Sequence, residues 1–204
     1  MPASSTLSVR AAAESRRAVR KYLQQDVPED DLREILRQVR LAPSPSNIQP
    51  WRFVVVREPS MRANLLAEAE RGAQATSAHA LIVLYADMEE VMATLDEIVH
   101  PACSEAEREG IKRKLVESFG TQPVAERQRH AHGVAYIALG FLLLAAEAMG
   151  YRTSPLAEFD PSGVKQLLGL PGHVTIPAIV AIGKGDEPGL AHHRHAVDRI
   201  ARFV

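Results

Sequence analysis

The chain has 204 residues, of which 46% are hydrophobic and 24% charged, so it is long and apolar enough to bury a core within one domain. Its 24 Lys and Arg nearly balance its 25 Asp and Glu, and this indicates no global attraction to nucleic acid or to an anionic membrane. The lone Cys103 excludes an internal disulfide and fits a reducing compartment. The first residues contain no continuous apolar segment. We therefore expect a cytoplasmic protein with no membrane or nucleic-acid partner.

Hydrophobic periodicity and turn residues predict several helices and a few strands. The predicted helices are Ser8–Ala18, Glu29–Leu41, Pro59–Arg71, a charged stretch from Glu89 to near Phe119, Ala125–Met149 and Pro161–Leu168. The predicted strands are Arg52–Arg57, 80–87 and 175–183. This mixture points to an α+β or α/β layer arrangement. The helix over 125–149 is apolar around nearly its whole circumference, which predicts a buried central helix and a homodimer that covers its remaining face.

Residues 15 to 22, SRRAVRKY, concentrate four cations. If the segment is helical, Arg16 and Arg20 lie on one face, where like charges repel each other unless an anion binds them. One interpretation is a solvated basic surface. The other is a phosphate clamp, because guanidinium groups match phosphate oxygens in bidentate geometry.

Residues 42 to 51, APSPSNIQPW, form a proline-stiffened polar loop in front of the first strand. One interpretation is structural, with Trp51 filling the core. In the other, the loop walls a binding site for a planar ring with several hydrogen-bonding groups. Its donors and acceptors would then be Ser44, Ser46, Asn47 and Gln49.

The order of these stretches resembles the nitroreductase family of flavoproteins. The matching stretches are RRAVRKY, APSPSNIQPWRFVVV, GFLLLAAEAMGYRTSPLAEFD, and IPAIVAIGKG followed by HHR, which leave about 88–128 outside the resemblance. The resemblance implies one domain over 1–204, an α+β fold of three α/β/α layers with a small, mostly antiparallel sheet around a central buried helix. It also implies a homodimer with shared active sites, and a helical lid or excursion is expected at 88–128.

The resemblance further implies that FMN is held by the early basic segment, by residues 155–158 and by an arginine near the C-terminus. Arg16 and Arg17 match positions near its phosphate and ribityl chain, and Arg20 matches a cation beside flavin N1 and O2. Arg194 matches a C-terminal phosphate-binding arginine. The family also has a segment that covers the back of the ring and offers a backbone N–H to N5. In this chain it corresponds to Pro155, Leu156, Ala157 and Glu158.

A loop of the other subunit is implied to reach the same flavin, and it corresponds to Pro43, Ser44, Pro45 and Asn47, with Gln49 beside them. Gln74 falls where the family often has a polar contact to flavin or substrate. Three positions depart from the family pattern, and they put the detailed phosphate and N5 contacts in doubt. Ala18 replaces a hydroxyl residue, Glu158 a common Gly and His192 a common Lys.

The implied activity is ping-pong transfer of electrons from NADH or NADPH through FMN to a planar electron-poor acceptor, such as a nitroaromatic, a quinone or an enone. Since the flavin carries the chemistry, no catalytic side chain is predicted. One alternative is a specialised reductive dehalogenase or flavin-degrading oxygenase with a lid over 88–128, which carries Glu107, Arg108 and Lys112. Another is a protein that binds FMN without catalysis.

The histidines allow further interpretations. His192, His193 and His195 cluster near the C-terminus, but no carboxylate or Cys partner lies nearby in sequence, so we predict no metal site. His130 and His132 are expected on a helix surface, with a role in a substrate pocket as the alternative.

Overall fold

The computed structural model describes residues 6–69 and 75–204. Its helices are α1 (Val9–Ser15), α2 (Glu29–Val39), α3 (Pro59–Ala67), α4 (Met88–Ala93), α5 (Leu95–Ile98), α6 (Glu105–Phe119), α7 (Val124–Ala148), α8 (Pro161–Leu168) and α9 (Val197–Ile200), with a 3-10 turn at Pro45–Asn47. Its strands are β1 (Trp51–Val56), β2 (Ala80–Ala86), β3 (Arg152–Leu156) and β4 (Thr175–Gly183). The α+β prediction is thus confirmed.

The four strands form one antiparallel sheet in the order β1-β2-β4-β3. The two central strands, β2 and β4, are apolar along their length, and nearly every residue in them is buried. The strand β3 was not predicted, because Arg152–Leu156 is mostly polar and contains a proline. Pro155 is tolerated there because β3 is an edge strand, where the missing N–H costs little.

Helices cover both faces of the sheet, as expected for three α/β/α layers. One core contains Ile35 of α2 and Leu142 of α7 packed against Ile82. The other contains Leu65 of α3 and Val164 of α8. Because β2 and β4 are covered on both faces, they appear in the sequence as continuous apolar runs rather than as alternating ones.

The central helix α7 is confirmed, with Ala131, Ala138 and Leu142 fully buried. It has the length and hydropathy of a membrane span, but half of its most apolar window is buried against the rest of the protein. That burial is typical of a core helix. Tyr136, Ile137 and Phe141 remain 39–47% exposed along one side of α7.

The basic segment after α1 is extended, so the prediction of a helix through Ala18 is wrong. The helix ends at Ser15, and Arg16 has φ −56° and ψ 126°. Ala18 then forms a parallel bridge with Thr153, and the N–H of Val19 donates to the Thr153 carbonyl at 3.1 Å. Arg16 and Arg20 therefore do not share a helix face. Pairing with the edge of the sheet overrides the helix propensity of the segment.

The stretch predicted as one helical excursion contains three helices, α4, α5 and α6. Two of its charges serve the local fold. Glu107 closes a capping box with Ser104 at the start of α6. Lys112 forms ion pairs with Asp96 and Glu109.

Candidate functional site

The basic segment is held in place by the chain that follows β4. The Glu187 carboxylate accepts hydrogen bonds from the backbone N–H of Arg20 at 2.8 Å and of Lys21 at 3.3 Å. The N–H of Leu23 donates to the Lys184 carbonyl, and that of Asp186 to the Lys21 carbonyl. The arginines thus lie on a strand-like segment fixed on both sides, by β3 and by residues 184–187.

Gly189 brings the C-terminal segment close to the arginines. Its φ is +70°, and a Cβ there would lie 2.6 Å from the Arg17 Cβ and 3.2 Å from the Ala18 carbonyl oxygen. Only glycine suits this left-handed backbone and this close approach. The segment that follows contains Arg194, and burial and then the charge of Arg194 lower the pKa of Arg16.

Arg16, Arg17 and Arg194 form a cluster of cations without a carboxylate partner among the described residues. Arg16 is half-buried, and its Nη1 is buried with no hydrogen-bond acceptor in the described parts of the chain. Burial, and then the charges of Arg194 and Arg17, lower the pKa of Arg16. The Arg17 guanidinium donates to the carbonyl oxygens of Glu14 at 2.7 Å and Arg16 at 3.0 Å. A buried, unpaired donor beside two further cations is suited to an anion.

Arg20 and the end of β3 line a cavity of about 200 Å³, together with residues 154–158. Within the described residues, the Arg20 guanidinium forms no ion pair. Pro155 and Leu156 belong to β3, whereas Ala157 and Glu158 are exposed beyond it. The cavity is smaller than the usual range of about 300–1,000 Å³ for small-molecule pockets, so one chain supplies only part of a ring-sized site.

The polar loop adopts an uncommon backbone conformation. Ser46, Asn47 and Gln49 have φ values of 49°, 56° and 40°, in a region that non-glycine residues rarely adopt. Ser44 Oγ accepts from the Gln49 N–H at 3.0 Å and holds this turn together. Strain of this kind often marks a functional segment. Pro43 and Pro45 are exposed on it.

The loop amides are partly committed to internal hydrogen bonds. Asn47 Nδ2 donates to the Ile98 carbonyl at 2.8 Å, and Gln49 Nε2 donates to Asn47 Oδ1 at 3.0 Å. Trp51 is 5% exposed and belongs to the core, as the structural interpretation predicted. What the loop offers a partner is therefore its proline edges and the exposed Ser46.

The loop and the arginine segment lie at opposite edges of the sheet, and the bridge of Ala18 to Thr153 is level with the end of β1 rather than with its start. Because the strands alternate in direction, the start of β1 and the end of β3 share one end. Three strand spacings of about 4.8 Å separate the two edges by about 14 Å. The structure therefore brings Arg16, Arg20 and Arg194 together with β3, but it places the loop elsewhere on the same chain.

The other predicted positions are less informative. Ala18 pairs with β3, His192 is exposed, and Gln74 lies outside the described residues. Over residues 6–69 and 75–204, no group of three or more His, Cys, Asp or Glu could hold a metal. Sequence reasoning missed Glu187 and Gly189. The stretch GDEPG at 185–189 is a turn signal, but nothing in it points to residue 20.

Comparisons with known proteins agree with this fold. The Nitroreductase family model matches residues 13–184. A Thermus thermophilus protein named NADH dehydrogenase is 42% identical over 194 residues, which cover 95% of each chain. A Streptococcus pneumoniae nitroreductase family protein superposes with a TM-score of 0.86 at 24% identity, over 97% of this chain and 100% of that one. A protein of Exiguobacterium sibiricum, solved in complex with FMN, gives 0.87 at 22% identity, over 99% and 100%.

Proposed function

This chain belongs to the nitroreductase family, and from that premise we propose that it is an FMN-dependent oxidoreductase. It would pass electrons from NADH or NADPH to a planar electron-poor acceptor, such as a nitroaromatic, a quinone or an enone. The observation that carries the proposal is the buried Nη1 of Arg16, which has no acceptor among the described residues and lies beside Arg17 and Arg194. A phosphomonoester with a charge of about −1.5 to −2 supplies the acceptor oxygens that this cluster lacks.

The residues present fit FMN. Arg16 and Arg194 would hold its phosphate, and Arg20 would lie beside the ring at the cavity formed with residues 154–158. When bound, FMN supplies the hydride and electron chemistry that amino-acid side chains lack. The protein would anchor the phosphate, cover one side of the ring with the end of β3 and place a positive charge at the ring edge.

We propose that the second wall of the site comes from another copy of this chain. The polar loop precedes β1, which lies about 14 Å across the sheet from β3, beyond the reach of a hydrogen bond within one chain. Apolar side chains support a homodimer: Tyr136, Ile137 and Phe141 are exposed along α7, at the helical spacing of a single face. Phe203 in the C-terminal segment is 85% exposed. Burial of both surfaces against a second copy would complete each site.

A spectroscopic titration tests the proposal. Purified protein mixed with FMN should retain the flavin absorbance through gel filtration, and anaerobic NADH or NADPH should bleach it. Protein that takes up no FMN would end the proposal. If the protein retains FMN but neither nucleotide reduces it, and no acceptor of the three classes is reduced, the protein binds flavin without this activity.

The specialised alternatives need substrate contacts from a lid over 88–128. In the structure, Glu107 caps its own helix and Lys112 is ion-paired, so these two charges are committed to the fold. No feature of the described residues favours dehalogenation or flavin breakdown over simple acceptor reduction. Analysis of the products formed in air distinguishes the three activities.

A further inference from the structure

A second, larger cavity of about 780 Å³ lies between the polar loop and the segment 98–119. Its volume is within the range of small-molecule pockets. Most of its wall is apolar, supplied by Ile48, Ile98, Val99, Ile111, Leu115 and Phe119. Such a wall suits an aromatic or alkenyl body rather than a sugar or a peptide.

The charge in the lining of this cavity is positive. Among the described lining residues, none carries a carboxylate, and the charged side chain is Lys114. Lys114 forms no ion pair with any described residue, whereas Lys112 on the same helix has two. His100 and His130 also line the cavity, and His130 packs on Phe119 with ring centroids 5.1 Å apart. A negatively charged group on the ligand would complement this lining.

The cavity is connected to the proposed flavin site through the polar loop. Pro45, Ser46 and Asn47 line the cavity, and Asn47 Nδ2 donates to the carbonyl of Ile98 in its wall. If the loop reaches the flavin of the partner, the cavity opens beside that ring. A bound acceptor could then place its reducible group toward the ring and its other end at Lys114.

We propose that this cavity selects acceptors that combine a planar apolar body with a carboxylate, and that Lys114 binds the carboxylate. This inference rests on the proposed function, because it concerns the acceptor of the same composite site. Lys114 acts here in substrate binding. An exposed ammonium–carboxylate pair contributes little by itself, so the effect on selectivity should be about twofold to fivefold.

The first test compares 4-nitrobenzoate with the neutral 4-nitrobenzyl alcohol as acceptors for the FMN-loaded enzyme. The ratio of their kcat/KM values should favour the carboxylate and should fall about fivefold in Lys114→Gln. Lys114→Arg should keep most of the preference. Lys112→Gln, which removes the same charge from the same helix, should leave the ratio near that of the wild type. Equal ratios in the wild type and Lys114→Gln would overturn the inference.

The second test needs neither flavin nor turnover. Benzoate titrated into the apoprotein should shift the methyl NMR signals of Ile98, Ile111 and Leu115, and this response should weaken in Lys114→Gln. If benzoate shifts these methyl signals but the enzyme reduces no acceptor, the proposed function fails while this inference stands. Shifts confined to other parts of the protein, or none at millimolar benzoate, would refute the inference.

Discussion

Arg20 and Glu187 are joined by a 2.8 Å hydrogen bond from the backbone N–H to the carboxylate, although they lie 167 positions apart in sequence. The bond fixes the extended arginine segment against the chain that follows β4. Among the described residues, the backbone hydrogen bonds between this segment and residues 184–187 run from the Leu23 N–H to the Lys184 carbonyl and from the Asp186 N–H to the Lys21 carbonyl. Glu187 therefore positions the cation cluster without belonging to it.

Removing this carboxylate should weaken FMN binding indirectly. In Glu187→Ala the two backbone donors lose their acceptor, and the dissociation constant for FMN should rise about threefold to tenfold. Glu187→Gln, which keeps a carbonyl oxygen in place, should have a smaller effect. Flavin fluorescence quenching measures both constants. Glu117→Ala removes an exposed carboxylate from α6 and serves as the control. An unchanged constant in Glu187→Ala would show that the segment needs no such support.

The same carboxylate should contribute a pH-dependent part of the stability. Its hydrogen bond to the Arg20 N–H, before the other contributions, lowers the pKa of Glu187. A lowered folded pKa means that the contribution is complete above the unfolded value and is lost as the pH falls through the folded one. Urea unfolding should therefore separate the wild type from Glu187→Gln at pH 7, and the difference between the two curves should shrink as the pH falls below the usual titration range of a glutamate. A difference that grows on acidification would contradict this assignment.

Arg16 should improve ligand binding at the expense of the stability of the apoprotein. Its buried Nη1 has no acceptor among the described residues, and two other guanidinium groups repel it. In Arg16→Met the melting temperature of the apoprotein should stay the same or rise, since an unpaired buried charge is removed. The dissociation constant for FMN should rise about tenfold to a hundredfold, as expected for a lost charge-assisted hydrogen bond.

Arg113→Met provides the control for this pair of measurements, because Arg113 is an exposed arginine on α6. It should change neither the melting temperature nor the FMN affinity. The phosphate assignment would be wrong if Arg16→Met destabilised the apoprotein and bound FMN as tightly as the wild type. Riboflavin, which lacks the phosphate, should bind the wild type and Arg16→Met with similar affinity.

The exposed stripe of α7 should be the dimer contact. Ile137→Glu places a charge in the middle of it, so sedimentation velocity should show a monomer at micromolar concentration. FMN should then be lost as well, because each site would lack its second wall. Val116→Glu is the matched control, since Val116 is an exposed apolar residue on α6 at 49% exposure. A dimeric Ile137→Glu protein would move the interface elsewhere.

Much of the fold could be predicted from the sequence, because long apolar runs and periodic helices depend on local pattern. The continuous runs of β2 and β4 and the helix α7 are of this kind. The strand β3 could not be found, since Thr153 and Ser154 are polar and are buried only because β4 and the arginine segment pair with them. The same tertiary pairing makes the arginine segment extended, although its sequence favours a helix.

The site could be predicted only in part, for a related reason. The arginines and the polar loop stand out by composition, but their support does not. The hydrogen bond of Glu187 and the close approach at Gly189 depend on chain crossings that no local pattern encodes. The cavity at Lys114 likewise lies where the chain turns between α5 and α6, in a stretch that was expected to be one helix.

Subunit complementation tests the central claim most directly, namely that the arginine segment of one chain and the polar loop of another form each site. One variant carries Arg16→Ala and Arg20→Ala, and a second carries Pro45→Glu and Ser46→Glu on the exposed part of the loop. Each should form an inactive homodimer. When the two are refolded together, half of the dimers are mixed and each contains one intact site, so NADH oxidation should return to about a quarter of the wild-type rate. Mixtures that stay as inactive as the separate variants would show that each site is built within one chain.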